Sequence, residues 1–538
     1  MKKPLLVIAI LVLLIYGCQE AAPYISTLLG TSKLSSQIVT IDVTKDTIVR
    51  TGKGALIRIA KGSLDAGNNT TVQLEIKEAY SMQDILKGGL STRSNGQALS
   101  SGGMLFINPV PGSDARIVKP IAVATPTRYI QPGMQLFKGE VATDSAINWV
   151  DPKPLPANPQ QAQLETGKKM FADLCATCHR IEKPLTGPAL AHAVKRFGGR
   201  KFRTDTGEVS ALYAFTLNNT RVLASGEPYY NYLYKVWHKS AMNIFPSLTT
   251  KDMDALYGYI ENESDRLNMP MPDYETIGGT KCDDSCLAYY QAMGNLYFLK
   301  NYEEIKTRRL VNDTRVFTDT SNLPFDTTSS EIDTQLVDTE WPEMVSPLNN
   351  ESLYYQFNID SFGWYNIDIL VKDIGAVPST LRVHIQPGDS HFALYLAIPS
   401  IKGLFPAGPL KDQPGTYGFF EANGDIPLPQ NVTAYLFALG ENGEQMVYAD
   451  TAFTTAISQE FTLSPKVVSK EAFDEKINSM NLKDVKITAD KHKDTPIIRT
   501  VTEELKKAAL LKPKNCNCGW AEADYDYISK PNTSSIPK

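Results

Sequence analysis

The chain has 538 residues, enough for three or four domains of ordinary size. Apolar residues make up 42% and charged residues 21%, which excludes a disordered chain. The formal net charge of −5, with no long basic run, argues against nucleic acid as a partner.

The N-terminus, MKKPLLVIAILVLLIYGCQE, sets Lys2 and Lys3 before an apolar run from Leu5 to Tyr16, followed by Gly17-Cys18. This is the layout of a secretory signal peptide. The run falls short of the roughly 20 residues that a membrane-spanning helix needs. Leu14-Ile15-Tyr16-Gly17-Cys18 resembles the lipobox of bacterial lipoproteins, with Tyr16 an unusual choice. The resemblance implies removal of residues 1–17 and acylation of Cys18. More than one acyl chain gives a stable anchor, so the expected location is the cell envelope outside the cytoplasm, on the periplasmic side or the cell surface.

Residues 18–35 read as a tether. From 36 to 150, short apolar runs such as SQIVTIDV, GALIRIA, TTVQLEIKEA, GGMLFINPV and KPIAVATPT are separated by Gly, Asn and Pro turns. Val72, Leu74 and Ile76 alternate with Gln73, Glu75 and Lys77, the pattern of a half-buried antiparallel sheet. The region is distantly similar to the sandwich modules named after zonula occludens and unc-five proteins, which carry no catalytic motif here. DPKPLPANPQQAQ, 151–163, reads as a linker. Helical patterning runs over 164–266, and 267–344 reads as a further helix and an extended link. A second sandwich is expected over 345–465, where Leu381, Val383 and Ile385 alternate with polar residues, followed by a charged tail over 466–538.

Seven cysteines divide by position. Cys18 belongs to the lipobox and Cys175 with Cys178 to the motif discussed next. Cys282, Cys286, Cys516 and Cys518 remain. In an oxidising compartment they read as two disulfides, with cross-linking of the two pairs the favoured arrangement and a zinc site the alternative.

FADLCATCHR, 171–180, holds the C-x-x-C-H signature of c-type haem attachment. Two thiols at this spacing can add to the two vinyl groups on one porphyrin edge, and His179 then stands next to the iron. A redox dithiol would call for a thioredoxin-like βαβ setting, which the sequence lacks. A zinc site would call for a second pair, and the next cysteines lie about a hundred residues on.

The flanks resemble class I cytochromes c. Gly167 and Phe171 precede the motif on one helical face, LTGPAL follows it, and SAMNIFPSLTTKDMDALYGYI lies downstream. The resemblance covers 160–265 and implies one covalently attached haem c with His179 and Met242 as axial ligands of its iron. It also implies Phe171, Pro188, Leu190, Phe245 and Pro246 around the haem, with the Pro188 carbonyl holding the histidine ring. His238 is the alternative sixth ligand, and His192, His384, His391 and His492 read as surface residues. Lys195, Arg196, Arg200, Lys201 and Arg203 read as a solvated basic face or as partners for haem propionates or an acidic protein.

The expected fold class is therefore multidomain, with an all-α cytochrome c domain between two all-β, sandwich-like domains. The expected function is single-electron transfer between envelope or respiratory redox proteins by a lipid-anchored monohaem cytochrome. The alternative is an assembly subunit of an envelope complex, joined through the β modules, with a structural or redox-sensing haem. A peroxidase would need a second haem or an open iron site, so no enzymatic activity is expected.

Overall fold

The computed structural model describes residues 29–141, 146–197, 201–204, 207–237, 239–269, 289, 341–349, 351–386, 392–411, 413–421, 424–442, 445–479 and 510–511. The expected signal peptide, Cys18, the four disulfide candidates Cys282, Cys286, Cys516 and Cys518, and His238, His391 and His492 lie outside them. Among the described residues no helix is long and apolar enough to cross a membrane.

The first region contains β1 (Ser36–Asp42), β2 (Thr47–Arg50), β3 (Leu56–Ile59), β4 (Leu64–Asp65), β5 (Thr71–Ala79), helix α1 (Met82–Lys87), β6 (Arg93–Ser94), β7 (Gln97–Pro109), β8 (Arg116–Ile117), β9 (Ile121–Thr127), β10 (Gln135–Val141) and β11 (Ile147–Pro154). The helical region follows as α2 (Pro159–Met170), α3 (Ala193–Phe197), the hairpin β12 (Lys201–Thr204) and β13 (Gly207–Ser210), α4 (Ala211–Ala224), α5 (Pro228–Val236) and α6 (Thr250–Arg266). Strands then resume with β14 (Leu353–Ile359), β15 (Gly363–Leu370) and β16 (Val377–Ile385), and continue to β25 (Lys466–Val467). Helix α7 (Lys470–Ser479) closes the described fold. The architecture is multidomain, a helical domain flanked in sequence by β-sheet regions.

Sheet topology redraws the expected boundaries. One sheet runs β1-β5-β7-β15-β10-β11 and the sheet facing it runs β14-β9-β3-β2. Strands β14 and β15 therefore belong to the first sandwich, although they follow the helical domain in sequence. β15 pairs on one side with β7, Tyr365 opposite Leu105, and on the other with β10, Tyr365 opposite Lys138. The second sandwich, expected from 345, starts instead at β16. The expected linker 151–163 is mostly ordered structure, since β11 extends to Pro154 and α2 starts at Pro159. The end of the expected tether also belongs to the fold, because Leu29 and Leu34 are buried.

Burial explains the reading of these strands. In β5, Val72, Leu74 and Ile76 face the core while Gln73, Glu75 and Lys77 are half-buried. β7 and β15 lack that alternation and are buried along most of their length. Their sheet is covered on both faces. Leu105, Ile107, Tyr365 and Ile367 pack towards the facing sheet. Met104 and Trp364 pack the other way, in a cluster with Phe137, Trp149, Leu404, Phe437 and α7 residue Phe473. That cluster joins the two sandwiches, and Thr92 N bonds to Leu404 O at 2.9 Å across the junction. The β regions thus form one stacked body rather than two separate spacers.

A buried acid lies inside that stack. Asp368 on β15 is fully enclosed beside Asn366, which accepts from Ser101 Oγ at 3.0 Å. Burial pushes the Asp368 carboxyl well above the usual carboxylate range, although Asn366 Nδ2 donates to Asp368 Oδ2. The folded state therefore favours the protonated acid, and this stabilisation is lost as pH rises from about 4 through the elevated folded value. Asp368→Asn, uncharged and of the same shape, should flatten that pH dependence. It should raise stability at pH 8 by on the order of 1–3 kcal/mol, as read from thermal melts across pH. A wild-type melting temperature that climbs between pH 5 and 9 relative to the variant would contradict this.

The helical domain is bonded to the first sandwich at both its ends. Gln160 donates to Ser352 O at 3.2 Å and accepts from Tyr354 N at 2.8 Å. Gln163 makes the same two-way pair with Val345, at 2.7 and 3.0 Å. On α6, Asn262 accepts from Ile130 N at 2.7 Å and donates to Ile130 O at 3.2 Å, and Asp265 meets Arg128 at 2.6 Å. Each buried amide is satisfied at both its atoms, the condition for burying such groups without penalty.

Candidate functional site

The helical domain is built around a cleft of about 1370 Å³, open mouth included. Leu190, Phe197, Leu212, Phe215, Leu256 and Ile260 supply much of its apolar wall.

One wall is the C-x-x-C-H turn. Asn158 caps α2 by accepting from Gln160 N at 2.8 Å, and Pro159 occupies the first turn, where its missing N–H costs nothing. Phe171–Cys175 continues the helix as a wider π-type turn, with Ala176 N bonded to Phe171 O at 2.8 Å. Such single wide turns are frequent at functional sites. Cys178 N and His179 N then both donate to Cys175 O, at 3.0 and 2.9 Å. Cys175, Cys178 and His179 so border one cleft, and the two sulfurs are not bonded to each other. Burial pushes the Cys175 thiol up to about 11, with Cys178 adding to it.

The following loop folds back over this turn. Gly187 N donates to Cys178 O at 2.8 Å, and Leu190 N to Arg180 O at 2.9 Å. These bonds bring Pro188 O to 2.9 Å from His179 Nδ1. The ring is thereby oriented, and Nε2 is the nitrogen left for a ligand. Burial pushes the imidazole below its usual range, offset in part by the Pro188 bond, which favours the neutral, ligating form. Gly187 is needed here, because a Cβ would stand 2.4 Å from His179 Cε1.

Met242 and Phe245 border the same cleft from the loop before α6. A capping box starts that helix, with Thr249 N on Asp252 Oδ2 at 2.8 Å and Asp252 N on Thr249 Oγ1 at 3.2 Å. α6 crosses α2 at Gly167, where an added Cβ would lie 1.9 Å from Ala255 O. Leu256, Tyr257 and Ile260 turn from this helix to the cleft, and Tyr257 OH meets Thr216 Oγ1 at 2.7 Å.

Some expectations need correction. Phe171 is not a cleft residue. It fills the α2–α6 crossing, its ring 5.7 Å from that of Tyr259. Pro246 is exposed and outside the lining residues. His192 is not a surface residue but 4% exposed, with Nε2 2.7 Å from Met269 O. His384 is half-buried, bonded to Thr416 and Glu460. The basic face divides: Lys195 pairs with Asp265 at 2.9 Å, Arg196 is 2% exposed and borders the cleft, and Lys201 and Arg203 stand exposed on β12. Arg200 lies outside the described residues. Gly187, Asn219, Tyr230 and Trp237 belong to the cleft without having been singled out. The only sequence signal for Asn219 is an Asn218-Asn219 pair inside a helical pattern.

The family model for cytochrome c matches residues 164–264. These residues are a cytochrome c domain. No curated protein matches the chain. The cytochrome domain implies covalently bound haem c with its iron and a haem-based electron-transfer role. The residues present suit that group. Two thiols share a wall with a neutral imidazole, a thioether borders the same space, and the cleft is large and mostly apolar. Among the described residues no group of three or more His, Cys, Asp or Glu side chains could hold a bare metal ion.

Proposed function

We propose that the chain is a lipid-anchored monohaem cytochrome that passes single electrons between envelope or respiratory redox partners. The observation that carries this reading is the shared cleft of Cys175, Cys178, His179 and Met242. Cys175 and Cys178 would hold the haem through two thioethers, and His179 Nε2 and Met242 Sδ would hold its iron. When bound, the haem supplies a one-electron iron centre.

The remaining work falls to the chain. Pro188 O keeps the proton on His179 Nδ1 and the ring in one orientation. Phe215, Leu256 and Ile260 give the cleft an apolar wall. A thioether in the sixth position raises the potential relative to a second imidazole. With His179 and Met242 both held by the iron, no place would be left for a substrate, which supports electron transfer over catalysis. The anchor rests on Gly17-Cys18 after the apolar run, and two or more acyl chains would make it stable.

Met242→Ala should abolish the long-wavelength sulfur-to-iron absorption band of the oxidised protein while haem content is unchanged. Its potential should fall by an appreciable part of the roughly 0.8 V that axial ligation spans. Absence of that band from the wild type, together with a changed spectrum in His238→Ala, would refute the ligand assignment.

A further inference from the structure

Met242 sits in a loop, residues 241–245, that is neither helix nor strand. Its two chain neighbours, Ala241 and Asn243, are exposed. Such a stretch would ordinarily sample many conformations, and a side chain on it would be poorly presented.

Helix α4 passes directly behind this loop and breaks there. Asn218 leaves helical geometry at φ −155°, ψ 81°. The break is prepared from both sides. Thr216 Oγ1 bonds back to Leu212 O at 3.0 Å, and Asn218 Oδ1 caps the second half by accepting from Arg221 N at 3.0 Å. The break frees the Leu217 carbonyl, which accepts from Phe245 N at 3.1 Å. It also turns the buried Asn219 amide into the loop, where Nδ2 donates to Met242 O at 2.8 Å and to Asn243 O at 3.2 Å. Asn219, Met242, Asn243 and Phe245 all border the cleft that His179 borders.

We propose that Asn219 is the positioning residue of the sixth ligand: through its two bonds to the loop backbone it holds the Met242 thioether over the iron. The proposal rests on Met242 being that ligand. Its role is to keep the loop closed against competing ligands, since each lost bond raises the population in which the loop is open.

The test uses the full-length holoprotein and imidazole, which occupies the iron only when the methionine leaves. Asn219→Asp keeps the shape and removes the donor, and Asn219→Ala removes the side chain. Both should bind imidazole about ten- to a hundredfold more tightly than the wild type, the worth of the two hydrogen bonds lost. Both should also weaken the sulfur-to-iron band. Ser264→Ala serves as a control at the far end of α6, where Ser264 Oγ accepts from His192 N at 3.0 Å. It should leave imidazole affinity unchanged. If Asn219→Asp binds imidazole as the wild type does, or Ser264→Ala tightens binding equally, the positioning role is overturned. If the wild type already binds imidazole as tightly as Met242→Ala, the ligand assignment itself fails and the clamp with it.

Discussion

A fragment of residues 29–344 is expected to lack a cooperatively folded first sandwich, whereas a fragment of residues 29–370 should have one. The reason is the place of β15 between β7 and β10. Without it, β10 and β11 have no sheet to join, and β9 loses its partner β14. The missing stretch also supplies Tyr355, Phe357, Ile359, Trp364, Tyr365, Ile367 and Ile369 to the core. At about 1.5–3 kcal/mol for each large apolar side chain buried, the loss is on the order of 10–20 kcal/mol. That matches or exceeds the roughly 5–15 kcal/mol by which whole domains are stable. Urea unfolding followed by circular dichroism would show a sigmoid transition for the longer fragment only. A sigmoid transition of normal steepness in the shorter one would mean that the sandwich closes without β15.

Gly167→Ala is expected to be the most damaging small substitution in the cytochrome domain. The added methyl would lie 1.9 Å from Ala255 O and 2.9 Å from Tyr259 Cβ. The first of these is backbone, so no rotamer change relieves the contact and α2 must move off α6. Overpacking a core commonly costs about 1–3 kcal/mol. A clash with helix backbone should exceed that, at about 3–5 kcal/mol. For a domain of this size, this lowers the melting temperature by about 15 °C or more, as followed by the haem absorption. The same movement would disturb the Phe171–Tyr259 contact and, through the wide turn that follows, Cys175. A melting temperature within a few degrees of the wild type would show that the two helices have slack.

What could be read in advance was local. The alternation of Val72, Leu74 and Ile76 and of Leu381, Val383 and Ile385 is visible in a few consecutive residues, and all six are buried. Cys175, Cys178 and His179 form a contiguous motif, and Thr249-x-x-Asp252 is a cap contained in four residues. What could not be read depends on residues far apart in sequence. WYNIDILV is a strand by composition, but nothing in those eight residues says that its neighbours start at 97 and 135. His192 looks like a surface histidine until α6 brings Glu261 to 3.5 Å and the chain beyond α6 brings Met269 O. The resemblance to class I cytochromes c implies an aromatic where the first helix meets the last, and Phe171 fills that crossing rather than the cleft wall. Asn219 carried no signal beyond an asparagine pair in a helix, because its partners lie more than twenty residues on.

The paired amides of Gln160, Gln163 and Asn262 have a kinetic consequence. A cytochrome on a loose linker can rotate to present its haem edge, so part of the orientational search in each encounter is done by the carrier. Here Gln160 and Gln163 on α2 bond to backbone at Ser352, Tyr354 and Val345, and Asn262 ties α6 to Ile130 of the first sandwich. These bonds oppose rotation of the domain against the sandwich. A redox partner of the proposed kind would find the cleft held in one orientation relative to that sandwich, so the angular part of the search would fall to the partner.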